Sequence, residues 1–297
     1  MQLYRILKSI MTHPLNADDK IDSLIRFAKW QFGSRLISDD IVLHEWINGA
    51  KFLVRRGEIG LTGNIYTGLY DFEEMGFLLH VVNDGDLFVD VGANAGAYTI
   101  LACAVAGAEG YAFEPGPDAY QRLKSNVHVN RLENRVRLFN SAVGEKDGSV
   151  CFSVDLDTTN RVVIGDPGIP GTMTSTMVML DTVLKGNSPS LIKIDVEGYE
   201  LKVLEGAKEI FSSESLFGVI MELNSCADNY GFNHSKVVEA MYDYGFSVFR
   251  YSPFTRQLVK IPKQKGTTEN TLFIRNERDV LDRIRKAPLI SVNGKKF

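Results

Sequence analysis

The chain has 297 residues, 44% of them hydrophobic, enough to bury a substantial core, and one large domain with an N-terminal extension is more economical than two equal ones. The formal charge of −4 and the pI near 5.8 give no whole-chain electrostatic reason to bind nucleic acid. No run approaches the roughly 20 apolar residues of a membrane span. The start Met1–Lys8 is too short and too charged for a secretory leader, and Cys103, Cys151 and Cys226, odd in number and widely spaced, read as buried thiols, so a cytoplasmic protein is expected.

Residues 1–80 are expected to form a mostly helical extension or cap, with Leu24, Ile25, Phe27, Ala28 and Phe32 spaced for one helical face. A helix is expected over Phe72–Val82, preceded by Tyr66 and Tyr70, for which packing is the plainer role. From there to residue 276 strands and helices alternate, the pattern of a mostly parallel seven-stranded sheet with helices on both faces. Strands are expected near 86–91, 110–114, 135–143, 190–195, 217–223, 246–250 and 271–275. Helices are expected near 96–106, 117–130, 199–211 and 234–244, the second opening at Pro117-Asp118. Between the third and fourth strands, Ser149–Val154 and Thr174–Met179 alternate like strands around a turn-rich Gly165–Gly171, a β-excursion that would emerge at the carboxyl edge where open α/β sheets bind ligands. The remainder, 277–297, reads as a charged tail with a short helix and a loose end.

The most informative stretch is Phe88–Thr99: a buried strand ending in Asp90, a turn with Gly92, Asn94 and Gly96, and a helix start whose N–H groups face a ligand. Glycine at 92 and 96 permits the turn and close approach of a ligand. The pattern Gly-x-Asn-x-Gly departs from the Gly-x-Gly-x-x-Gly of dinucleotide sites. Asp90 would repel a diphosphate and attract the ammonium of S-adenosylmethionine. Glu114, eighteen residues beyond Gly96 at the end of the second strand, stands where an acid accepts hydrogen bonds from ribose hydroxyls. Ser141, after the third strand, is the candidate for the adenine edge.

Four blocks carry a family resemblance: Phe88–Tyr98, Tyr111–Pro115, Leu191–Glu200 (Leu-Ile-Lys-Ile-Asp-Val-Glu-Gly-Tyr-Glu) and Met221–Asn224. From about Asp86 to Asn224 the chain resembles the FkbM family of S-adenosylmethionine-dependent methyltransferases. The resemblance implies a class I methyltransferase, Rossmann-like fold, S-adenosyl-L-methionine as cofactor, and methylation of hydroxyl oxygens on sugars and other natural products.

In the third block Asp195 and Glu197 project to one side of an extended segment, so both can face a pocket, and Asp195 at the strand tip can position or deprotonate an acceptor hydroxyl. It is also counted among the cofactor-binding residues. The plainer role for Glu197 is a helix-start acid. Glu222 and Asn224 end the next strand on a common side and can complete the acceptor pocket. These oxygens suit a hard cation, but without histidine spacing or a dense acidic loop no metal is expected. Of the histidines, only His234 stands near enough to this edge in sequence to be a base candidate. Thr158, Thr159, Asn160 and Arg161 in the excursion are candidates for a lid or acceptor contact. The competing functions are a nicotinamide-dependent oxidoreductase, disfavoured by the missing third glycine, and a non-catalytic S-adenosylmethionine-binding partner protein.

Overall fold

The computed structural model describes residues 2–33, 41–55, 61–155, 160–163, 170–223, 230, 234–262 and 270–297. Helices α1 (Gln2–Thr12) and α2 (Lys20–Ala28) open the chain as expected. The apolar set chosen for α2 is only partly inward, for Ile25 and Phe32 are exposed while Ser23 and Trp30 are buried.

A hairpin then interrupts the helical lead-in, β1 (Ile41–Glu45) with β2 (Lys51–Arg55). Alternation explains it, because Phe52 and Val54 are fully buried on one side of β2. Its connection bends through left-handed Asn48 and Gly49. The outer N–H groups of Lys51 and Leu53, which would otherwise stay unpaired at an edge, donate to the side chains of Asn130 and Asn126.

Next come α3 (Thr62–Thr67), α4 (Phe72–Val81), β3 (Leu87–Val91), α5 (Ala97–Ile100, continued by π-type turns over Leu101–Val105), β4 (Glu109–Phe113) and α6 (Pro117–Val129). The third expected strand is two. β5 (Val136–Phe139) pairs with β4, and after Asn140 the chain leaves the sheet as β6 (Ser141–Val143). The Asn140 amide marks the departure, donating to the carbonyls of Glu114 and Pro115. β6 belongs to the excursion, a separate sheet with β7 (Gly148–Ser153), β8 (Val162–Val163) and β9 (Thr172–Val178) in the order β6-β9-β7-β8.

The chain then runs through α7 (Leu180–Val183), β10 (Leu191–Ile194), α8 (Glu200–Glu205), α9 (Lys208–Ser212), β11 (Gly218–Glu222), α10 (His234–Asp243), β12 (Ser247–Ser252), β13 (Gln257–Lys260), β14 (Asn270–Ile274) and α11 (Glu277–Lys286). The main sheet has eight strands in the order β13-β12-β14-β11-β10-β3-β4-β5, not seven. The additional one, β13, folds back on β12 as an antiparallel edge hairpin. From β5 to β11 all neighbours are parallel, and β14 enters antiparallel beside β11. Helices pack on both faces: Phe88, Leu191 and Ile220 face the core shared with the N-terminal segment, while Val89, Ile192 and Val219 face the core shared with α8 to α10. No helix among the described residues is long and apolar enough to cross a membrane.

The tail is docked, not loose. β15 (Ser291–Val292) and β16 (Lys295–Lys296) form a small hairpin that delivers Phe297 to a buried position against Phe72 and His80.

Candidate active site

The turn after β3 is shaped by its backbone. Gly92, Asn94 and Gly96 all have positive φ (80, 49 and 93°). Asparagine tolerates this conformation better than most residues with a Cβ, which gives Gly-x-Asn-x-Gly a conformational reason. The reason for Gly92 differs from the one expected: a Cβ there would lie 1.8 Å from the carbonyl oxygen of Asp195, so a neighbouring strand tip, rather than a ligand, excludes it. The Asp195 N–H donates to the Val91 carbonyl at 2.9 Å and joins the same two tips.

Glu114 is buried, and each of its oxygens accepts one backbone N–H, from Gly116 at 2.7 Å and from Asn94 at 2.8 Å. Burial pushes its carboxyl up to about 7, against the pull of those two bonds and of Arg122. The Ser141 hydroxyl is buried without a hydrogen-bond partner. Glu114, Ser141, Gly92, Asn94, Asp195 and Glu197 all line one cavity of about 340 Å³, the size of a small-ligand pocket. The excursion walls it with Phe152, Val154, Asn160 and Val162, and Arg55 and Arg122 add cationic groups the sequence did not single out.

Asp90 and Gly96 do not line the cavity. Asp90 is buried beneath the turn with its carboxylate on the Thr99 hydroxyl at 2.5 Å, and burial lifts it to about 6. Gly96 serves as the left-handed residue before α5, where a Cβ would crowd Leu123. Arg161 and His234 are likewise outside the lining. Asn224, Cys226, Thr158 and Thr159 fall outside the described residues.

At the tips of β10 and β11, Asp195, Glu197 and Glu222 each bring a carboxylate oxygen within 4.8 Å of the others. Such oxygens suit a hard cation, and within the set Glu222, through burial and then the charge of Asp195, is pushed up to about 8. Glu197 sits at φ 54° beside left-handed Gly198, a sharp turn that holds it at the cavity wall instead of opening a helix.

Two other residues depart from expectation. Tyr66 packs on Phe27 as expected, but Tyr70 is half exposed, and burial together with the charges of Asp71 and Glu222 raises its phenol. Lys193 is 2% exposed in a strand whose other members are fully apolar, with Nζ 3.4 Å from Asp195 Oδ2 and 3.0 Å from Asn270 Oδ1. An ammonium buried in the middle of Leu-Ile-Lys-Ile was itself a legible signal.

A five-stranded parallel run with an antiparallel β14, a glycine-lined turn after its central strand β3 and an acid ending β4 define a class I methyltransferase, Rossmann-like fold. The Methyltransferase FkbM domain matches residues 90–248, and the chain belongs to that family. A similar curated protein is the hexuronic acid methyltransferase AglP of Haloferax volcanii, 28% identical over 157 residues. That match spans 51% of this chain and 61% of the relative. Among solved structures, the tRNA m1G37 methyltransferase of M. jannaschii is 16% identical with a TM-score of 0.41, covering 81% of this chain and 58% of that one. The precorrin-6y C5,15-methyltransferase of Geobacter metallireducens is 10% identical with a TM-score of 0.42, covering 75% and 92%. Likeness this distant says nothing of chemistry, and the fold assignment stands on the strand order.

Proposed function

We propose that this protein transfers a methyl group from S-adenosylmethionine to a hydroxyl oxygen of a sugar or glycosylated small molecule, with sugar acids the first acceptors to try. One observation carries the reading: a single cavity joins groups suited to a nucleoside, Glu114 and Ser141, to the Asp195 carboxylate, and Glu222, outside the cavity lining, brings a second carboxylate within 4.8 Å of it. The unpartnered Ser141 hydroxyl and the buried Glu114 carboxylate fit an adenosine, whose base edge and ribose hydroxyls supply the missing partners. When bound, S-adenosylmethionine supplies an activated methyl group and its own leaving group. The chain's part is to align the acceptor oxygen at the Asp195 tip and to take its proton, the kind of contribution that positioned groups make to displacement reactions. A carboxyl held near 8 is matched to proton removal close to neutral pH. The hexuronic acid relative and the family membership support a carbohydrate acceptor, and the net charge of −4 favours it over a nucleic acid.

The test begins with thermal shift. A ligand that binds the native state raises the midpoint with the logarithm of its concentration over Kd. S-adenosylmethionine and S-adenosylhomocysteine should shift the protein and NAD or NADP should not; the reverse result ends the reading. Turnover of methyl-labelled donor with uronic acid and neutral glycosides then separates an enzyme from a binding partner, and the site of the label separates oxygen from nitrogen or carbon.

A further inference from the structure

Alternation and register bring an unusual set of groups to one face of the sheet near its carboxyl edge. Lys193 pairs in register with Asp90 of β3, Asp195 follows it on the same side, and Glu222 of β11 pairs with Asn270 of β14. Over this face lie Tyr98 of α5, its ring 5.4 Å from Lys193 Nζ, and Asp71 at the start of α4, whose carboxylate accepts from the Tyr98 hydroxyl at 3.0 Å. Glu74 of α4, Tyr70 and Glu197 stand around it, and Glu114 and Glu200, both buried, add their charges at the Asp195 end. Lys193 is the cation among them. Burial pulls its ammonium down, yet the charges of Asp195, Glu222, Asp71 and Asp90 hold it above its ordinary value. A buried ammonium is costly unless it is paired, and an apolar side chain of similar length would fill the same space at lower cost. Strand packing alone therefore does not account for a lysine here.

We propose that Lys193 is a positioning residue of the proton-transfer step: the buried counter-charge that lets Asp195 and Glu222 be negative together when an acceptor hydroxyl must lose its proton. The role rests on the methyl-transfer reading above. In that step the acceptor O–H bond breaks and its proton passes to Glu222. The oxygen forms the new bond to the methyl carbon, and the sulfur of the donor keeps the electron pair of the broken bond. Lys193 acts through the acid pair and need not touch either substrate. Its charge pulls Glu222 down against burial and against Asp195, so removing it should leave the proton on Glu222 to higher pH.

The experiment compares wild type, Lys193→Met and Lys193→Arg by the pH profile of kcat and by carbon-13 NMR titration of the Glu222 carboxyl in the protein without substrates. In Lys193→Met the acidic limb of kcat and the Glu222 midpoint should both rise by at least one pH unit. Turnover at pH 7 should fall tenfold or more, and S-adenosylhomocysteine affinity should stay within threefold. Lys193→Arg, which keeps the charge, should hold both midpoints within half a unit while lowering kcat. A Lys193→Met limb and titration at wild-type positions would overturn the proposal even if kcat falls. Should that variant not fold, nitrogen-15 NMR of the wild-type lysine ammonium decides: its resonance must respond as Glu222 titrates near 8, and no response overturns the coupling. Absence of donor turnover with every acceptor would defeat the methyl-transfer reading and the role with it, whereas turnover with an unmoved limb defeats the role alone.

Discussion

Replacing Glu114 with alanine separates two jobs of one carboxylate, the proposed hold on the donor's ribose and the pairing of two backbone N–H groups. If it accepts ribose hydroxyls, hydrogen bonds to a charged group are worth about 1.5–3 kcal/mol, so S-adenosylhomocysteine should bind about 10- to 150-fold more weakly. The fold is affected as well, contrary to what its place at a strand end suggests. Loss of the carboxylate orphans the N–H groups of Gly116 and Asn94, at about 1–3 kcal/mol each. Against this stands relief of a buried charge: a carboxyl lifted from its ordinary 4.5 to about 7 carries a penalty of about 3 kcal/mol above pH 7. Because the folded value is raised, Glu114 contributes stability that is fully present below about 4.5 and lost as pH rises through 7. The variant should therefore melt close to wild type at pH 8 and lose more at pH 5. Calorimetric titration and melting curves at both pH values are the assay. Wild-type affinity for S-adenosylhomocysteine in a folded variant would remove Glu114 from the donor site, and an equal melting deficit at both pH values would refute the buried-charge account.

Gly92→Ala tests the contact between the donor turn and the acid tip. A Cβ 1.8 Å from the Asp195 carbonyl oxygen forces that tip to move by more than an ångström, and misplacement on this scale costs about a hundredfold in turnover, so near-normal turnover would contradict the packing described. Asp195→Asn keeps the shape of the side chain and removes its charge; turnover should fall by about 10² to 10⁴ with donor affinity little changed. If turnover stays near normal across a pH series, Asp195 is a structural strand end, and proton removal rests on Glu222 alone.

The parallel sheet was legible because buried strands are mainly apolar runs between periodic helices, and Leu87–Val91, Leu191–Ile194 and Gly218–Glu222 are of that kind, each with a single charged residue. What escaped depends on partners far away in sequence. The β1–β2 hairpin alternates over only five residues a strand within a helical lead-in, and its edge is held by Asn126 and Asn130, more than seventy residues on. The split of residues 135–143 turns on the single amide of Asn140 reaching back to Glu114. The docked tail is held by Ile290, Val292 and Phe297, three buried residues scattered among polar ones. In the site, period-two alternation paired Asp195 with Glu197 and Glu222 with Asn224, and the structure brings the carboxylates of Asp195, Glu197 and Glu222 within 4.8 Å of one another, while the depth of Asp90 was hidden, since a strand tip in sequence carries no record of the Thr99 hydroxyl folded over it.

The neighbour relation of β3 and β10 makes the donor turn and the acid tip one piece of structure. Asp195 N–H is bonded to Val91, Gly92 makes room for the Asp195 carbonyl, and Lys193 lies across from Asp90 in register. The two carboxylates at these tips differ in role because they differ in depth: Asp90 is turned inward on Thr99, whereas Asp195 reaches the cavity and Glu222. A displacement of either tip is felt by the other, so a variant that moves the backbone here, as Gly92→Ala does, should change donor binding and turnover together, unlike the charge changes at Asp195 and Lys193. Glu114, on the far side of β3 from Asp195, is the position where the proposed donor contact can be removed with the acid pair left in place.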